Sequence, residues 1–407
     1  MKNKIDRLIA KLCPNGVEYM TLGEVFNFKN GYTPSKSKKE YWQDGTIPWF
    51  RMEDIRLNGS ILSKATQQVN VSAIKGGRVF PANSILVATS ATIGEHALIT
   101  VPHLSNQRFV SLSVNIEYQD LFNIKFLYYY FYILDEWCIN NVTKSSFASV
   151  DMSGFRKFPI PVPPLPVQEE IVKILDTFTE LEAELEAELE ARKEQYEYYR
   201  DELLTFGDEV DWKTLGEVGT LIRGNGLQKK DFVEQGIGCI HYGQIYTYYG
   251  TFADKTKSFV KEELAIRLKK AQHGDVLISG VSENIEDVCT PLGWLGKEIC
   301  ISGDMFAFRH NQNPKFITYL LQTTAFKRHK ERYAQGAKVI RVKSDRLLEF
   351  KIPIPPLSEQ ARIVSILDKF DALVNDISAG LPAEIDGRRK QYEYYRNKLL
   401  TFKKLAG

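Results

Sequence analysis

The sequence FPIPVPPLPVQEEIVKILD (residues 158–176) opens a segment that the chain contains twice. The second copy opens with FKIPIPPLSEQARIVSILD at residues 350–368. Both copies close with QYEYYR and, two residues later, LLTF, at residues 195–206 and 391–402. The copies lie 192 residues apart at the proline end and 196 residues apart at the tyrosine end. One element has therefore been duplicated, with a change in its internal length.

Each copy predicts an extended strand followed by a long helix. Alternating prolines favour an extended chain, and Pro166 is acceptable only in a first helical turn. Apolar residues then recur at helical spacing from Ile171 to Leu203, over roughly 35 residues. Because a helix that long with a narrow apolar seam needs a partner, we expect the two copies to pair as antiparallel helices. Gly380 and Pro382 predict a kink or an interruption in the second helix.

The middle of the first copy is a low-complexity tract in which Glu-Leu-Glu-Ala occurs three times, from Glu180 to Ala191. A four-residue period advances by about 40° per unit on a helix with 3.6 residues per turn, so the leucine stripe drifts around the helix. The tract therefore predicts a spacer of adjustable length. Taken singly, its glutamates are typical of a solvated acidic helix face.

Composition places the chain among soluble multidomain proteins. At 407 residues and 43% hydrophobic content it can bury two or three cores. Its five cysteines are odd in number and include no Cys-x-x-Cys pair, which favours a reducing compartment. Residues 1–12 lack the apolar core of a signal peptide, and the aromatic run from Phe126 to Leu134 is too short to span a bilayer. We expect a cytoplasmic protein.

The net charge of +2 conceals a strong segregation of charge. Residues 165–206 contain 13 acidic and 4 basic side chains, a net charge of −9, so the rest of the chain carries +11. A basic remainder favours a polyanionic partner such as nucleic acid, although charge excess alone is a weak signal.

The segments that precede the two repeats are distant copies of each other. Thr21-Leu22-Gly23-Glu24-Val25 recurs as residues 214–218, and the strand pattern at residues 83–87 recurs at residues 274–278. Short alternating runs between Gly, Pro and Asn predict strands and tight turns, with helices near residues 123–140 and 314–334.

The predicted fold class is α+β: two similar mixed α and β domains separated by two long antiparallel helices that form a coiled coil, with pseudo-twofold symmetry. The predicted boundaries are a first globular domain at 1–156 and a central helical region at 157–207. A second globular domain follows at 208–348, and a C-terminal helical region at 349–407.

These motifs carry a resemblance to a known family. Residues 31–35 (GYTPS), Tyr41-Trp42 and residues 45–49 (GTIPW), with the twice-used Pro-x-Pro-Pro-Leu-x-x-Gln pattern, resemble the specificity (S) subunit of Type I restriction-modification enzymes. The resemblance covers essentially the whole chain. The Glu-Leu-Glu-Ala tract is similar to the spacer repeats of the Type IC subgroup. Thr-Ala-Glu-Leu is usual there, so the glutamate is a departure that leaves the spacer interpretation intact.

The resemblance implies a non-catalytic DNA-binding subunit that serves defence against foreign DNA. In that family two target-recognition domains, which correspond here to residues 1–156 and 208–348, each read one half of a bipartite, asymmetric double-stranded DNA target. The helical regions set the gap and dock two methyltransferase (M) subunits, which methylate adenine with S-adenosylmethionine, and restriction (R) subunits add ATP-dependent cleavage. S-adenosylmethionine, ATP and Mg2+ are therefore expected on partner subunits, with no cofactor in this chain.

The motifs of enzymes that act on nucleic acids are missing from the sequence. It contains no Gly-x-x-x-x-Gly-Lys-Ser/Thr loop and no Asn/Asp-Pro-Pro-Tyr/Phe motif, and its six histidines show no metal-ligand spacing. These absences argue against a chain with its own methyltransferase activity. A further alternative, a coiled-coil scaffold that joins two protein-binding domains without touching DNA, explains the helices but not the basic remainder.

Candidate DNA contacts are the polar, basic and aromatic residues on the loops of the two domains, because base edges and phosphates are read by such side chains. A lysine taken singly is more often a solvated charge, and a tyrosine more often packs in a core; we assign Trp49 to the core. In the first domain the candidates are Tyr32, Lys36, Lys38, Lys39, Arg51, Arg56, Arg78, Thr89, Ser90, Thr92, Lys144, Ser145 and Ser146. In the second domain they are Arg223, Lys229, Lys230, Tyr242, Gln244, Tyr246, Tyr248, Lys255, Lys257, Ser282, Lys338 and Arg341.

Overall fold

The computed structural model describes residues 4–143, 148–376 and 378–405. The chain divides into two compact units. The first unit consists of Met1–Glu182 and Arg388–Gly407, and the second consists of Ala183–Gly387. Each unit therefore contains one globular segment together with parts of both copies of the repeat.

The first globular segment and the repeat that follows it contain six helices and twelve strands among the described residues. The helices are α1 (Lys4–Leu12), α2 (Leu22–Val25), α3 (Met52–Asn58), α4 (Ile124–Asn140), α5 (Met152–Arg156) and α6 (Leu165–Leu203). The strands are β1 (Glu18–Thr21), β2 (Phe26–Asn30), β3 (Ile47–Phe50), β4 (Ile61–Leu62), β5 (Gln68–Val69), β6 (Ser84–Ala88), β7 (His96–Ile99), β8 (Leu104–Ser105), β9 (Phe109–Val114), β10 (Val142–Thr143), β11 (Ser149–Val150) and β12 (Pro159–Val162).

The rest of the described chain contains thirteen strands and eight helices. The strands are β13 (Trp212–Thr214), β14 (Gly219–Arg223), β15 (Ile237–Ile240), β16 (Phe252–Ala253), β17 (Ser258–Val260), β18 (Lys270–Ala271), β19 (Val276–Ser279), β20 (Val281–Ser282), β21 (Pro291–Trp294), β22 (Ile299–Ile301), β23 (Met305–His310), β24 (Ile340–Arg341) and β25 (Lys351–Pro353). The helices are α7 (Leu215–Val218), α8 (Tyr242–Thr247), α9 (Glu262–Ala265), α10 (Pro314–Leu320), α11 (Thr324–Tyr333), α12 (Ser344–Leu348), α13 (Leu357–Asn375) and α14 (Leu381–Leu399).

The two units share one sheet topology. A five-stranded sheet has the order β2-β9-β6-β7-β4 in the first unit and β14-β23-β19-β21-β16 in the second. A smaller sheet, β5-β3-β8, corresponds to β17-β15-β22-β18, which has one strand more. The central strands β6 and β19 are wholly buried, in keeping with their continuous apolar runs. Together with the long helices, this topology confirms the prediction of two similar mixed α and β domains.

The repeated Thr-Leu-Gly-Glu-Val motif is a helix start. Thr21 and Thr214 accept hydrogen bonds from the backbone N–H of Glu24 and Glu217, and each glutamate accepts one from the backbone N–H of its threonine. This reciprocal pair satisfies two amide donors at the start of a helix. The preceding strand pairs with the proline-rich strand of the repeat, β1 with β12 and β13 with β25. The motif therefore joins each globular segment to its own repeat.

The long helices form as the sequence predicts. Helix α6 runs unbroken for 39 residues through the Glu-Leu-Glu-Ala tract. The second copy forms two helices, α13 and α14, with Gly380 just before the second begins. In the first unit the Phe178 ring contacts Tyr392 and Tyr395 at 6.1 and 5.7 Å. Glu182 pairs with Arg389 at 2.5 Å. Since numbers rise along α6 and fall along α14, this pairing is antiparallel.

The second unit contains the same aromatic contact with the two copies exchanged. Phe370 of α13 stacks on Tyr196 and Tyr199 of α6 at 6.4 and 5.5 Å. Phe370 occupies the repeat position of Phe178, and Tyr196 and Tyr199 occupy those of Tyr392 and Tyr395. The same phenylalanine–tyrosine contact therefore forms in both units, each time between one copy of the repeat and the other.

A buried glutamine docks each repeat against its globular segment. The Gln168 amide accepts from the backbone N–H of Asn123 at 2.8 Å and donates to the carbonyls of Leu121 and Pro163. Gln360 accepts from Asn313 at 3.0 Å and donates to Pro355 and Gln312. Both glutamines are fully buried, so every one of these polar groups needs its partner.

The aspartate that ends Ile-Leu-Asp makes the second docking contact. Asp176 accepts from Lys125 at 2.7 Å and from the Tyr129 hydroxyl at 2.6 Å. Asp368 accepts from Lys315 at 2.6 Å and from Tyr319 at 2.7 Å. The motif residues Gln, Ile-Val and Ile-Leu-Asp therefore lie on the helix face that meets the globular segment.

Three further expectations concern helices, membranes and cysteines. The helix predicted near residues 314–334 is wrong as one element: the chain leaves helical geometry at Leu321, and Thr323 caps a second helix through the amide of Phe326. Among the described helices, none is long and apolar enough to cross a membrane. The five cysteines are unpaired and buried.

His103 lies in the core of the first unit between the rings of Phe50 and Phe80, with centroids 5.7 and 5.6 Å away. Its Nδ1 lies 2.9 Å from the Val101 carbonyl, which only accepts, so Nδ1 carries the proton. Burial lowers the pKa of His103 to about 4. The imidazole is therefore neutral in the folded chain.

We predict that the first unit loses stability as the pH falls from about 6.5 to about 4. The unfolded chain binds a proton at His103 in this window and the folded chain does not, so acid favours unfolding by about 3 kcal/mol, and the loss levels off below the folded pKa. Urea unfolding of the wild type and of His103→Phe at several pH values measures the difference. Identical pH profiles of the two proteins contradict the prediction.

We also predict that Gln168→Ala destabilises the first unit by about 3 kcal/mol, because it leaves one amide and two carbonyls without partners in a buried site. Differential scanning calorimetry detects the lowered transition of that unit. Gln391→Ala on the exposed face of α14 is the matched control and should change the stability by less than about 0.5 kcal/mol. Equal shifts in the two variants would show that the buried amide does not hold the helix.

Candidate nucleic-acid interface

A polar cleft opens on the first unit where β3 ends and where β8 turns into β9. Its volume is about 590 Å3. The lining combines cations, amides and two tryptophans: Lys36, Lys39, Arg51, Arg108, Gln43, Gln67, Asn106, Gln107, Trp42 and Trp49, with Thr33, Met52 and Glu53. Arginine, lysine, asparagine and glutamine are the residue types that contact base edges and phosphates. The cleft therefore has the chemistry of a nucleic-acid contact surface.

The two tryptophans at the floor of the cleft are held by packing against each other and by hydrogen bonds from their indole N–H groups. Trp42 and Trp49 pack edge to face with centroids 5.0 Å apart. The Trp49 indole N–H donates to the carbonyl of Tyr32 at 3.0 Å, and that of Trp42 donates to Ser35 at 3.1 Å. Trp49 is 4% exposed, which confirms its assignment to the core.

The cationic side chains of the cleft include Arg51, which lies near the Trp49 ring, and two exposed lysines. The Arg51 guanidinium lies 5.8 Å from the Trp49 ring, and its Nε is 3.2 Å from the Glu53 carboxylate. Lys36 and Lys39 are exposed. The cleft thus offers positive charge at its rim and aromatic surface at its base.

A second patch adjoins the cleft and is built from two loops. Residues 89–95 follow β6, and the described residues 141–143 and 148–150 follow α4. The Thr89 carbonyl accepts from the Val150 amide at 3.0 Å, and Ser90 forms an isolated bridge with Ser149. The Thr89 amide donates to the Arg108 carbonyl at 3.0 Å, which makes the patch continuous with the cleft. Lys144, Ser145 and Ser146 lie outside the described residues.

The second unit presents the same arrangement of loops. Residues 302–304 join β22 to β23, as residues 106–108 join β8 to β9. The Gly280 amide donates to the Asp304 carbonyl at 2.8 Å, as Thr89 does to Arg108. Strand β20 pairs with β24, which places Val281 opposite Arg341. Lys338 and Arg341 are exposed on this loop pair.

The side chains on this second surface differ from those of the first. Arg223 is 69% exposed at its side chain, and its Nε donates to the Gly303 carbonyl at 3.1 Å. The Tyr242 amide donates to Ser302 Oγ at 2.9 Å. Burial and the nearby Lys229 ammonium lower the pKa of His241, against the opposing pull of Asp304.

The aromatic candidates of the second unit form a separate rim. Lys257 lies 4.1 Å from the Tyr248 ring centroid, and Tyr248 is 54% exposed. Tyr246 is half-buried, and burial raises its pKa. Lys230 and Lys255 are exposed. These residues offer ring faces and cations to solvent.

Several predicted contacts are engaged inside their own unit. The Tyr32 hydroxyl donates to the Ala73 carbonyl and accepts from the Lys75 amide. The Gln244 amide donates to Ser258 and accepts from the His241 backbone. Ser282 is buried and donates to the Asn284 carbonyl.

Four more candidates of the first unit lie apart from the residues that line the cleft. Arg56 pairs with Glu95 at 3.4 Å, and Lys38 donates to Tyr41 at 3.1 Å, which raises the pKa of Lys38. Arg78 is exposed, and Thr92 is half-buried. Their contact with DNA stays a prediction.

The sequence reading missed five lining residues of the cleft: Gln43, Gln67, Asn106, Gln107 and Arg108. Three of them form the loop Asn106-Gln107-Arg108, a polar interruption between two buried strands. This polar interruption is visible in the sequence and could have identified the loop as a candidate contact. Gln43 and Gln67 come from loops near β3 and β5, and no sequence pattern brings them together.

The described residues contain no group of three or more His, Cys, Asp or Glu side chains that could hold a metal ion. The arrangement instead supplies donors, cations and aromatic faces on an open surface. Its chemistry is that of binding.

The chain matches a family model described as the Type I restriction modification DNA specificity domain twice, over residues 14–191 and 208–386. It is 43% identical over 384 residues to the specificity subunit of the Type I restriction enzyme EcoprrI of Escherichia coli, and the match covers 89% of each chain. It is 37% identical over 297 residues to the EcoR124I/EcoR124II specificity subunit of Escherichia coli, covering 69% of this chain and 71% of the relative.

The fold is also similar to a solved chain described as "Structural basis underlying complex assembly and conformational transition of the type I R-M system". The TM-score is 0.64 at 19% identity, with 95% of this chain and 98% of that chain covered. The family matches agree with the prediction of a specificity subunit rather than a catalytic one. The chain belongs to the family of Type I restriction-modification DNA specificity subunits.

Proposed function

We propose that each unit reads one half of a bipartite, asymmetric DNA target through equivalent loops, which in the first unit line the cleft, and through the loop pair beside them. The observation that carries the proposal is the repetition of one loop arrangement with different side chains. Loops 106–108 and 302–304 hold the same place in the two units and carry Asn-Gln-Arg and Ser-Gly-Asp. Because base contacts depend on side chains, equal scaffolds with unequal residues favour an asymmetric target.

The helices act as a spacer and as a docking surface in this proposal. Helix α6, at about 1.5 Å per residue, is about 58 Å long. Tyr198 and Tyr394 occupy the same repeat position and are 64% and 61% exposed. Two equivalent aromatic positions support the docking of two copies of one partner, the methyltransferase subunit. Restriction subunits join this assembly for ATP-dependent cleavage.

The chemistry of the complex resides on the partner subunits. S-adenosylmethionine serves adenine methylation there, and ATP and Mg2+ serve translocation and cleavage. The proposal includes the four predicted domain boundaries and membership of the Type IC subgroup. The continuous helix through the Glu-Leu-Glu-Ala tract supports the central spacer region.

We predict that one additional Glu-Leu-Glu-Ala unit after Ala191 widens the gap between the half-sites by roughly one or two base pairs. The insertion lengthens α6 by about 6 Å, and DNA rises about 3.4 Å per base pair. Mapping of methylated adenines in a host that carries the altered gene measures the gap. The half-site sequences should stay unchanged.

Glu184→Gln, which removes a charge without changing the length, is the control and should leave the gap as it is. An unchanged gap after the insertion, or altered half-sites, contradicts the spacer function of α6.

We predict that Lys338→Ala weakens DNA binding for every sequence and lowers the slope of log affinity against log salt by about 1. A phosphate contact releases about one counterion, so its loss removes that share of the salt dependence. Binding titrations of the assembled complex at several salt concentrations give the slope. Lys213→Ala, an exposed lysine on β13, is the matched control. An unaltered slope for Lys338→Ala would assign this lysine to solvent.

A further inference from the structure

Loop 106–108 of the first unit and loop 302–304 of the second are held by the same backbone contacts. An added Cβ at Gly31 would lie 1.9 Å from the Asn106 carbonyl oxygen, and one at Gly224 would lie 2.0 Å from that of Ser302. Only glycine permits so close an approach. The carbonyls of Arg108 and Asp304 accept from the amides of Thr89 and Gly280. Residues 108 and 304 are therefore equivalent positions.

Hydrogen bonds hold the backbone of Arg108, whereas its side chain has no hydrogen-bond or ion-pair partner among the described residues. Its amide donates to Asn106 Oδ1 at 3.0 Å, and its carbonyl is held by Thr89. Its side chain lines the cleft beside Gln107. Gln107 is itself held, because the Thr33 hydroxyl donates to its Oε1 at 2.5 Å. In the part of the chain that the structure describes, no side chain pairs with the Arg108 guanidinium.

Asp304 carries the opposite charge at the equivalent position. Its carboxylate is 51% exposed and lies 3.9 Å from Arg223 Nη2. Arg223 comes from the end of β14, where the first unit has Asn30 at the end of β2. The two units therefore place their arginine on different elements of the same fold.

We propose that position 108 and its counterpart 304 set the base preference of one base pair in each half-site, and that Arg108 reads a guanine. The inference rests on the proposed function. Guanine presents the acceptors O6 and N7 in the major groove, and the arginine fork donates to both. The Asp304 carboxylate only accepts, so it cannot contact those atoms and pairs with a base amino group.

The alternative role for Arg108 is a phosphate contact, and lysine separates the two. Lysine keeps the charge that a phosphate needs but lacks the planar fork that matches guanine. Arg108→Lys should therefore lose discrimination for guanine at one base pair of the first half-site while the rest of the target is unchanged. Base reading by one bidentate pair corresponds to a loss of about 5- to 150-fold.

The first experiment maps methylated adenines in a host whose gene carries Arg108→Lys, Arg108→Ala or Asp304→Ala. The Arg108 variants should relax one position of the first half-site, and Asp304→Ala one position of the second. Arg7→Ala, an exposed arginine on α1 of the same unit, should keep the wild-type target. A wild type without any bipartite target would refute the proposed function itself, which is a separate outcome.

The second experiment replaces the guanine at that position by 7-deazaguanine in a duplex bound by the assembled complex. The wild type should lose affinity because N7 is missing, and Arg108→Ala should show no further loss. If Arg108→Lys keeps the full target, or if the deaza substitution weakens both proteins equally, Arg108 does not read the base. Loss of all methylation in both Arg108 variants, with the chain still folded, would make the residue structural and overturn the inference.

Discussion

The rest of the structure depends on the buried glutamine that hydrogen-bonds each repeat to its globular segment. Gln168 and Gln360 each bond to the backbone amide that precedes a helix, at Asn123 and Asn313. Those asparagines in turn cap α4 and α10 through their own side chains. Replacing a buried amide with three partners is costly, because each lost bond leaves a buried polar group without a partner. The long helix is thereby fixed to the same elements that carry the binding loops.

In the first unit, helix α4 connects the buried glutamine to the candidate binding surface. Val150, which follows this helix in the chain, bonds to Thr89, and Thr89 bonds to Arg108 in the cleft. Each step is a backbone hydrogen bond and so does not depend on which side chains the loops carry. The second unit keeps the step from Gly280 to Asp304. The loop side chains are therefore free to differ between units while the frame stays the same, as the proposed asymmetric target requires.

The sequence predicted the fold well wherever the pattern was repeated. The Pro-x-Pro-Pro-Leu-x-x-Gln motif, the helix over residues 165–203 and the break near Gly380 appear twice or follow from proline chemistry. The break at Leu321–Thr323 was missed, because the aromatic and basic run through residues 314–334 stays compatible with one helix, whereas Thr323 caps the start of a second helix. Propensity alone does not reveal such a cap.

The candidate site was only partly predictable, for a physical reason. Lys36, Lys39 and Arg51 stand near the Gly-Tyr-Thr-Pro motif in sequence and line the cleft. Arg108 and Gln67 reach the same cleft from distant segments that only the pairing of β3 with β5 and β8 brings together. Gln244 and Tyr32 are polar and lie near loops, and their polar atoms bond within their own unit, so their contact with DNA stays a prediction. Strand register, which one sequence does not give, decides which distant segments line the cleft.

The central claim is that equivalent loops of the two units read different halves of one DNA target. Photo-crosslinking tests it most directly: a benzoylphenylalanine is placed at Gln107 or at Gly303 of the assembled complex, and the crosslinked nucleotide is identified on a duplex containing the target. The account predicts that the two positions label opposite half-sites, separated by the gap. Crosslinks from both positions to the same half-site, or none above those from an exposed position such as Arg7, would contradict it.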